Sequence, residues 1–152
     1  ARKHPEIQFC LAGAKREDTN IAFPENVRLM GYLKGKELES FIKNARLVVI
    51  PSRCYEGFPM AILEAAQFGK PCIGPDHGGF TEIIGKGENA IGRLFEPNNL
   101  NDLEKQVLTL WNQPVLTEEL GRKAYEKLRK EYSSEVVYRK WDELFTKILN
   151  NQ

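Results

Sequence analysis

Short apolar runs alternate with segments whose apolar residues recur every three or four positions, and this alternation fills the first two thirds of the chain. Residues 7–12 (IQFCLA), ending at Gly13, read as a buried strand followed by a turn. Residues 15–26 are polar with one proline and read as a loop, and residues 27–30 read as a second short strand broken by Gly31. Leu38, Phe41, Ile42 and Ala45 then recur at helical spacing, and residues 47–50 (LVVI) are a third strand, apolar and mostly β-branched. Lys70-Pro71 restarts the chain into a fourth strand at residues 72–74, Gly78-Gly79 opens a short helix through Ile84 that Gly85 and Gly87 close, and residues 90–95 form a fifth strand.

Beyond Pro97 the pattern is all helix. Leu100, Leu103, Val107 and Trp111 define one stripe, and Leu116, Leu120, Ala124, Leu128 and Tyr132 a second. Ser133 or Ser134 is the expected N-cap of a last helix whose apolar face is Val137, Trp141, Leu144, Phe145 and Ile148. Strands alternating with helices predict an α/β fold, a doubly wound parallel sheet with helices on both faces and a C-terminal helical tail.

Composition narrows the function classes. A chain of 152 residues with 28% charged residues and net charge +1 is one ordinary globular domain, long enough to bury a core. The near-zero net charge gives no support for a nucleic-acid partner. No apolar run approaches the roughly 20 residues of a membrane span, no secretory signal is read, and the three scattered cysteines (Cys10, Cys54, Cys72) have no metal-type spacing. A reduced, cytosolic compartment is the simpler expectation.

The chemistry concentrates in residues 51–64, PSRCYEGFPMAILE, where Glu56 and Glu64 stand eight positions apart around a Gly-Phe-Pro turn. Residues 60–68 are apolar on every side, which predicts a helix buried in the protein, and Pro59 suits its first position. The stretch therefore reads strand, loop, helix, with Glu56 in the loop and Glu64 inside the helix. Amides at the start of that helix would face the space beyond the strand's carboxyl end, where open α/β sheets bind ligands and where anions are favoured.

These residues also carry a resemblance. EGFPMAILE resembles the E-x7-E element of the retaining, nucleotide-sugar-dependent glycosyltransferases of family 4 (glycosyl transferases group 1). EAAQFGKPCIG and GGFTEII resemble the "EAxAxGxPVI…GGxxEII" run of the same family, so the ordered set PS, E-x7-E, G-x-P and GGxxE is matched. The resemblance implies a GT-B enzyme of two Rossmann-like domains with the active site between them. The N-terminal domain takes the acceptor, a glycan or lipid-linked sugar, and the C-terminal domain holds the nucleotide sugar. Residues 1–152 resemble the C-terminal domain alone, truncated at its own N-terminus, so that the first strand and a loop with a phosphate-gripping Arg and Lys are expected to be absent. ARKHPEIQF resembles the end of the helix that follows, and Arg2 and Lys3 are not assigned phosphate roles. In the strand order 3-2-1-4-5-6 the absent strand is central. A dimer through the incomplete sheet, or a fragment with altered pairing, is one expectation from that gap. The Trp141 and Phe145 face is expected to be exposed or engaged by a neighbour, because the family's last helix crosses to the other domain.

The resemblance assigns roles residue by residue. Glu64 would accept hydrogen bonds from both ribose hydroxyls of the nucleotide, against a surface or capping glutamate. Glu56, the candidate catalytic residue, would contact donor-sugar hydroxyls near the reacting carbon; a base or nucleophile is the other reading. Gly57, Phe58, Met60 and Ala61 would offer N–H groups to the sugar and β-phosphate, Pro59 having none to give, and Gly57 is a turn residue in either case. Gly78 and Gly79 would make a second anion or sugar contact. Gly31, Tyr32 and Leu33 would meet the nucleobase, Tyr32 being equally a rim residue, and Arg53 would reach the phosphates or stand exposed. Glu82 reads as structural, and His77 and His4 as loop residues.

No bound metal and no cofactor is expected, the nucleotide sugar being a substrate. The reaction implied is sugar transfer from a UDP, GDP or ADP donor to an acceptor hydroxyl with retained configuration, in bacterial surface polysaccharide or lipopolysaccharide synthesis. The place would be the cytoplasm or the inner face of the membrane. The alternatives are a nucleotide-sugar-binding module without transfer activity and a sugar-nucleotide epimerase of the same fold.

Overall fold

In a computed structural model, which describes residues 1–13 and 20–150, five strands and six α-helices follow one another. They are β1 (Phe9–Ala12), β2 (Val27–Gly31), α1 (Gly35–Asn44), β3 (Val48–Val49), α2 (Met60–Ala66), β4 (Cys72–Pro75), α3 (Gly78–Ile84), β5 (Gly92–Phe95), α4 (Leu100–Asn112), α5 (Pro114–Glu131) and α6 (Ser134–Asn150). The strands fall into two parallel sheets, β1-β2 and β3-β4-β5. The chain divides into two compact units, Ala1–Phe41 and Ile42–Gln152.

In the first unit β1 pairs with β2 from Phe9↔Val27 to Leu11↔Leu29, and the register shifts at Ala12↔Gly31. The expected buried strand is not buried: Cys10, Leu11 and Ala12 are exposed and Phe9 is half-buried, while Ile7, just before the strand, is buried. Apolar composition selects a strand, but a ribbon with one hydrogen-bonded neighbour has little to bury its faces against. Asn26 organises the entry to β2, its Nδ2 donating to the carbonyls of Ala1, His4 and Ile7 at 3.0, 2.8 and 2.9 Å. Of the expected loop, residues 15–19 lie outside the described residues, and residues 20–24 have no regular structure.

In the second unit the central strand β4 is buried along its whole length. Gly74 leaves the space beside it to Phe80 and Ile84 of α3, both fully buried. Cys72 is buried too, and desolvation pushes its thiol up to about 12. Ile73 and Phe95 from the sheet meet Leu110 of α4 and Leu120 of α5, with Leu103, Val107 and Leu116 around them. The predicted α4 stripe is rotated. Leu100 is 77% exposed, and Leu110, outside that stripe, is fully buried, so the inward line runs Leu103, Val107, Leu110 at helical spacing. Leu100 is the first residue of α4, three positions before Leu103, where the helix first packs on the core.

A polar network joins β5 to the start of α4. Asn99 caps the helix by accepting from the Asp102 N–H at 3.0 Å. Asp102 accepts from the Glu96 N–H at 2.7 Å and from Gln106 at 3.0 Å, and Gln106 accepts from Arg93 at 2.9 Å. The Glu96 amide is the main cause holding the Asp102 carboxyl below the usual carboxylate range. At the other end of the unit Lys127 donates to the carbonyl of Ile83 at 2.8 Å, tying α5 to the end of α3. Ser133 takes the expected capping role, accepting from the Val136 N–H at 3.4 Å. No residue of α6 is buried: Trp141 and Phe145 stack at 5.6 Å and are 55% and 56% exposed. No helix among the described residues is long and apolar enough to cross a membrane.

Two consequences can be measured. A Cβ on Gly92 would run into the Cys72 carbonyl, and one on Gly121 into the Gly69 carbonyl, both fixed backbone, whereas Gly57 faces open space. Gly92→Ala and Gly121→Ala should each lower unfolding stability by about 1–3 kcal/mol in denaturant titration, and Gly57→Ala should leave it within about 0.5 kcal/mol. Asp102 has a depressed folded pKa, so its contribution is present above the ordinary carboxylate pKa and is lost as pH falls through the folded value. Asp102→Asn should therefore cost about 1 kcal/mol at pH 7, and the difference from the parent should close below about pH 4.

Candidate functional site

Because β3 and β4 are parallel neighbours, their carboxyl ends lie side by side, and each leads through a loop into a seven-residue helix. The loop after β3 carries Arg53, Glu56, Gly57 and Phe58 to α2; the two residues after β4, Asp76 and His77, lead to α3. The loops touch. The Gly79 N–H donates to the Glu56 carbonyl at 2.8 Å, a Cβ on Gly78 would stand 2.8 Å from that same oxygen, and one on Gly79 would strike the Gly57 carbonyl. Gly78 also holds a φ of +52°, which favours glycine. The paired glycines are thus what lets the two loops meet, bringing Glu56 and Gly57 against the start of α3.

Pro59 sits one position earlier than its sequence suggests. Its φ of −72° suits a helix, but its ψ of 94° is extended, so it is the N-cap, fully buried, and Met60 is the first helical residue. The expectation that α2 is buried all round is also overturned. Ile62, Ala65 and Ala66 are buried and the helix packs against β4 and α5, while Met60 (57% exposed), Glu64 and Gln67 form the outward line at spacings of four and three. Glu64 and Gln67 make that line polar, so the short helix is amphipathic and Met60 is the apolar residue it leaves in solvent. Glu64 stands on that exposed line; Ala61 is half-buried, and Phe58 is exposed.

Glu56 is half-buried. The side chains of Glu56, Glu64 and Arg53 have no hydrogen-bond or ion-pair partner among the described residues. The aromatic groups around the loop are engaged. Tyr55 stacks on His77 at 4.7 Å and 18°, His77 meets Phe80 edge-on at 6.0 Å, and Phe58 meets Tyr132 edge-on at 5.6 Å. Asp76 accepts from Thr81 at 2.9 Å and Lys86 at 2.7 Å, and the Lys86 ammonium is the main cause holding its carboxyl below the usual range. Burial, with Glu131 and Glu82 nearby, pushes the Tyr132 hydroxyl up.

The nucleobase candidates belong to the first unit. Gly31 ends β2 with a φ of +70°, Tyr32 is exposed with the Lys34 ammonium 5.1 Å from its ring, and Leu33 is half-buried. Tyr55, His77 and Tyr132 escaped the reading of the sequence as site-shaping residues. Tyr55 adjoins Glu56, which was a signal; Tyr132 lies far along the chain and offered none. Among the described residues no group of three His, Cys, Asp or Glu could hold a metal ion.

Residues 1–127 match the family described as glycosyl transferases group 1. The chain is 36% identical over 132 residues to the poly(ribitol-phosphate) alpha-N-acetylglucosaminyltransferase of Staphylococcus aureus, covering 85% of this chain and 25% of that protein. It is 38% identical over 101 residues to an uncharacterized glycosyltransferase of Methanocaldococcus jannaschii, covering 66% and 28%. Among solved structures it superposes on S. aureus TarM, in a complex with fondaparinux, alpha-GlcNAc-glycerol and UDP, with a TM-score of 0.77 and 31% identity over 95% of this chain and 30% of that one. Sucrose-phosphate synthase of Thermosynechococcus elongatus shares the fold, with a TM-score of 0.79 at 21% identity, covering 95% of this chain and 39% of that one. The chain spans about a quarter of the length of these curated relatives. With the match running from before β1 into α5, the chain belongs to the glycosyl transferases group 1 family.

Proposed function

We propose that this chain is the donor-binding domain of a retaining glycosyltransferase that moves a sugar from a nucleotide-diphosphate sugar to an acceptor hydroxyl. The observation that carries the reading is the meeting of the two loops beyond β3 and β4, which sets Glu56, the start of α2 and Gly78-Gly79 together at the carboxyl end of a parallel sheet. Ligands of open α/β sheets bind at such ends. Glu64 is placed on the solvent side of α2 with a carboxylate unengaged by the described residues, as a partner of a vicinal diol would be.

In this reading Glu64 accepts from the ribose hydroxyls, and Glu56 orients the sugar by its hydroxyls near the reacting carbon. The leaving group is a nucleoside diphosphate, so the chemistry depends on stabilising charge that develops on the β-phosphate. The amides of Met60 and Ala61 open α2 ahead of its hydrogen-bonded ladder and supply donors for that charge. The acceptor enters from a second domain, so transfer needs both domains. UDP is the first base to test, since the TarM structure holds it. Bacterial surface polysaccharide synthesis is the proposed setting, and the S. aureus relative, a poly(ribitol-phosphate) alpha-N-acetylglucosaminyltransferase, supports a polymeric acceptor.

Two measurements test this. Calorimetric titration of the chain with UDP, GDP and ADP should show one of them binding, and Glu64→Ala should weaken that binding at least about tenfold, the loss of a charged hydrogen-bonded partner. A chain that binds none of the three counts against the reading. In a protein that carries this chain together with its acceptor domain, Glu56→Gln should lower kcat/KM for sugar transfer by about 100-fold or more while nucleotide affinity stays within about twofold. Epimer formation without an acceptor would replace the transferase reading.

A further inference from the structure

Glu56 sits in a loop with little of its own to hold it. Residues 51–59 have no regular secondary structure, Gly57 faces open space, and among the described residues one backbone hydrogen bond, from Gly79 to Glu56, ties residues 51–58 to another element. Beside that bond lies a chain of rings running out from the core. Phe80 is fully buried, His77 meets it edge-on at 6.0 Å, and Tyr55 lies flat on His77 at 4.7 Å and 18°. Tyr55 is 83% exposed, so burial does not hold its ring; the stack does. The same ring closes over Gly78, where a Cβ would stand 3.2 Å from it.

Among the described residues the His77 side chain makes no hydrogen bond that would account for its place. It occupies the N-cap of α3, where Ser, Thr, Asp or Asn would satisfy a helix amide, yet its side chain makes no capping bond. Its Nδ1 is buried without a partner among the described residues, a cost that a ring placed for hydrogen bonding would not carry. What remains is a flat surface, anchored to the core on one side and covering Tyr55 on the other.

We propose that Tyr55 and His77 are positioning residues, a stacked clamp that fixes the Glu56 loop against the start of α3 and so sets where Glu56 meets the donor sugar. The inference rests on the donor-site reading above. It assigns the clamp to the sugar end of the ligand and leaves the nucleotide end to Glu64, so the two ends respond differently when the ring is removed.

The test compares the full chain with His77→Ala, His77→Phe and His77→Asn. Phenylalanine keeps a ring and gives up the imidazole nitrogens; asparagine gives α3 a better cap and gives up the ring. Titrations with UDP and UDP-glucose, UDP and UDP-N-acetylglucosamine, GDP and GDP-glucose, and ADP and ADP-glucose give the ratio of sugar-nucleotide Kd to nucleoside-diphosphate Kd. That ratio should rise about five- to tenfold in the Ala and Asn forms, the worth of one aromatic pair, and return to the parent value in the Phe form. Hydrogen exchange gives a readout without ligand. The Gly79 amide should exchange about tenfold faster in the Ala and Asn forms, whereas the Gly85 amide, bonded to Thr81 within α3, should keep its protection. An unchanged Gly79 amide in His77→Ala, or an Asn form that matches the parent in both readouts, overturns the clamp. A parent chain that binds none of the ligands overturns the donor-site reading and the clamp's role with it, and is recognised because the failure is already present before any substitution.

Discussion

Everything at the candidate site depends on a close approach of backbone to backbone. The Gly78-Gly79 step comes so near the Glu56 and Gly57 carbonyls that neither glycine has room for a side chain, and one hydrogen bond of 2.8 Å spans the gap. This contact is possible because β3 and β4 are parallel and adjacent, which brings their two outgoing loops to the same end of the sheet. Strand order supplies the neighbourhood, and the glycines supply the last few ångströms. Remove either, and a glutamate in a loop without regular structure loses its reference point.

The same device recurs where the site's scaffold is assembled. Gly92 lets β5 lie against Cys72, Gly74 makes way for Phe80 and Ile84, and Gly121 brings α5 onto the turn at Gly69. Glycines at these positions are packing residues that happen to have no side chain. They hold β4, α3 and α5 at distances that ordinary side chains would not permit; the Asp76–Lys86 link then joins the two flanks of α3, and Lys127 ties its end to α5 through the Ile83 carbonyl.

Much of this was legible in the sequence. The parallel α/β character, the strand–loop–helix around the two glutamates and the short helix opening at Gly78 follow from period, glycine placement and the ordered motifs of one family. What was not legible concerns faces and depth. Residues 60–68 are expected to be buried all round, yet α2 buries one side, because Glu64 and Gln67 line up with Met60 and turn that face to solvent. β1 has the composition of a buried strand and is exposed, since composition does not report how many strands flank it. Leu110 falls outside the stripe that begins at Leu100, because Leu100 is a terminal residue that the core does not reach. The ring contacts of Tyr55, His77 and Tyr132 join residues 22 and 74 positions apart, beyond any local pattern.

The two tryptophans occupy opposite surroundings. Trp111 is half-buried on α4 beneath the Arg46 guanidinium, 4.6 Å from the ring centroid, whereas Trp141 stacks on Phe145 on the uncovered face of α6. They are therefore separate optical reporters within one chain. Emission from Trp111 follows the integrity of the sheet-and-helix core, and emission from Trp141 follows whatever comes to cover α6, so quenching by a polar solute would weigh on the second more than on the first.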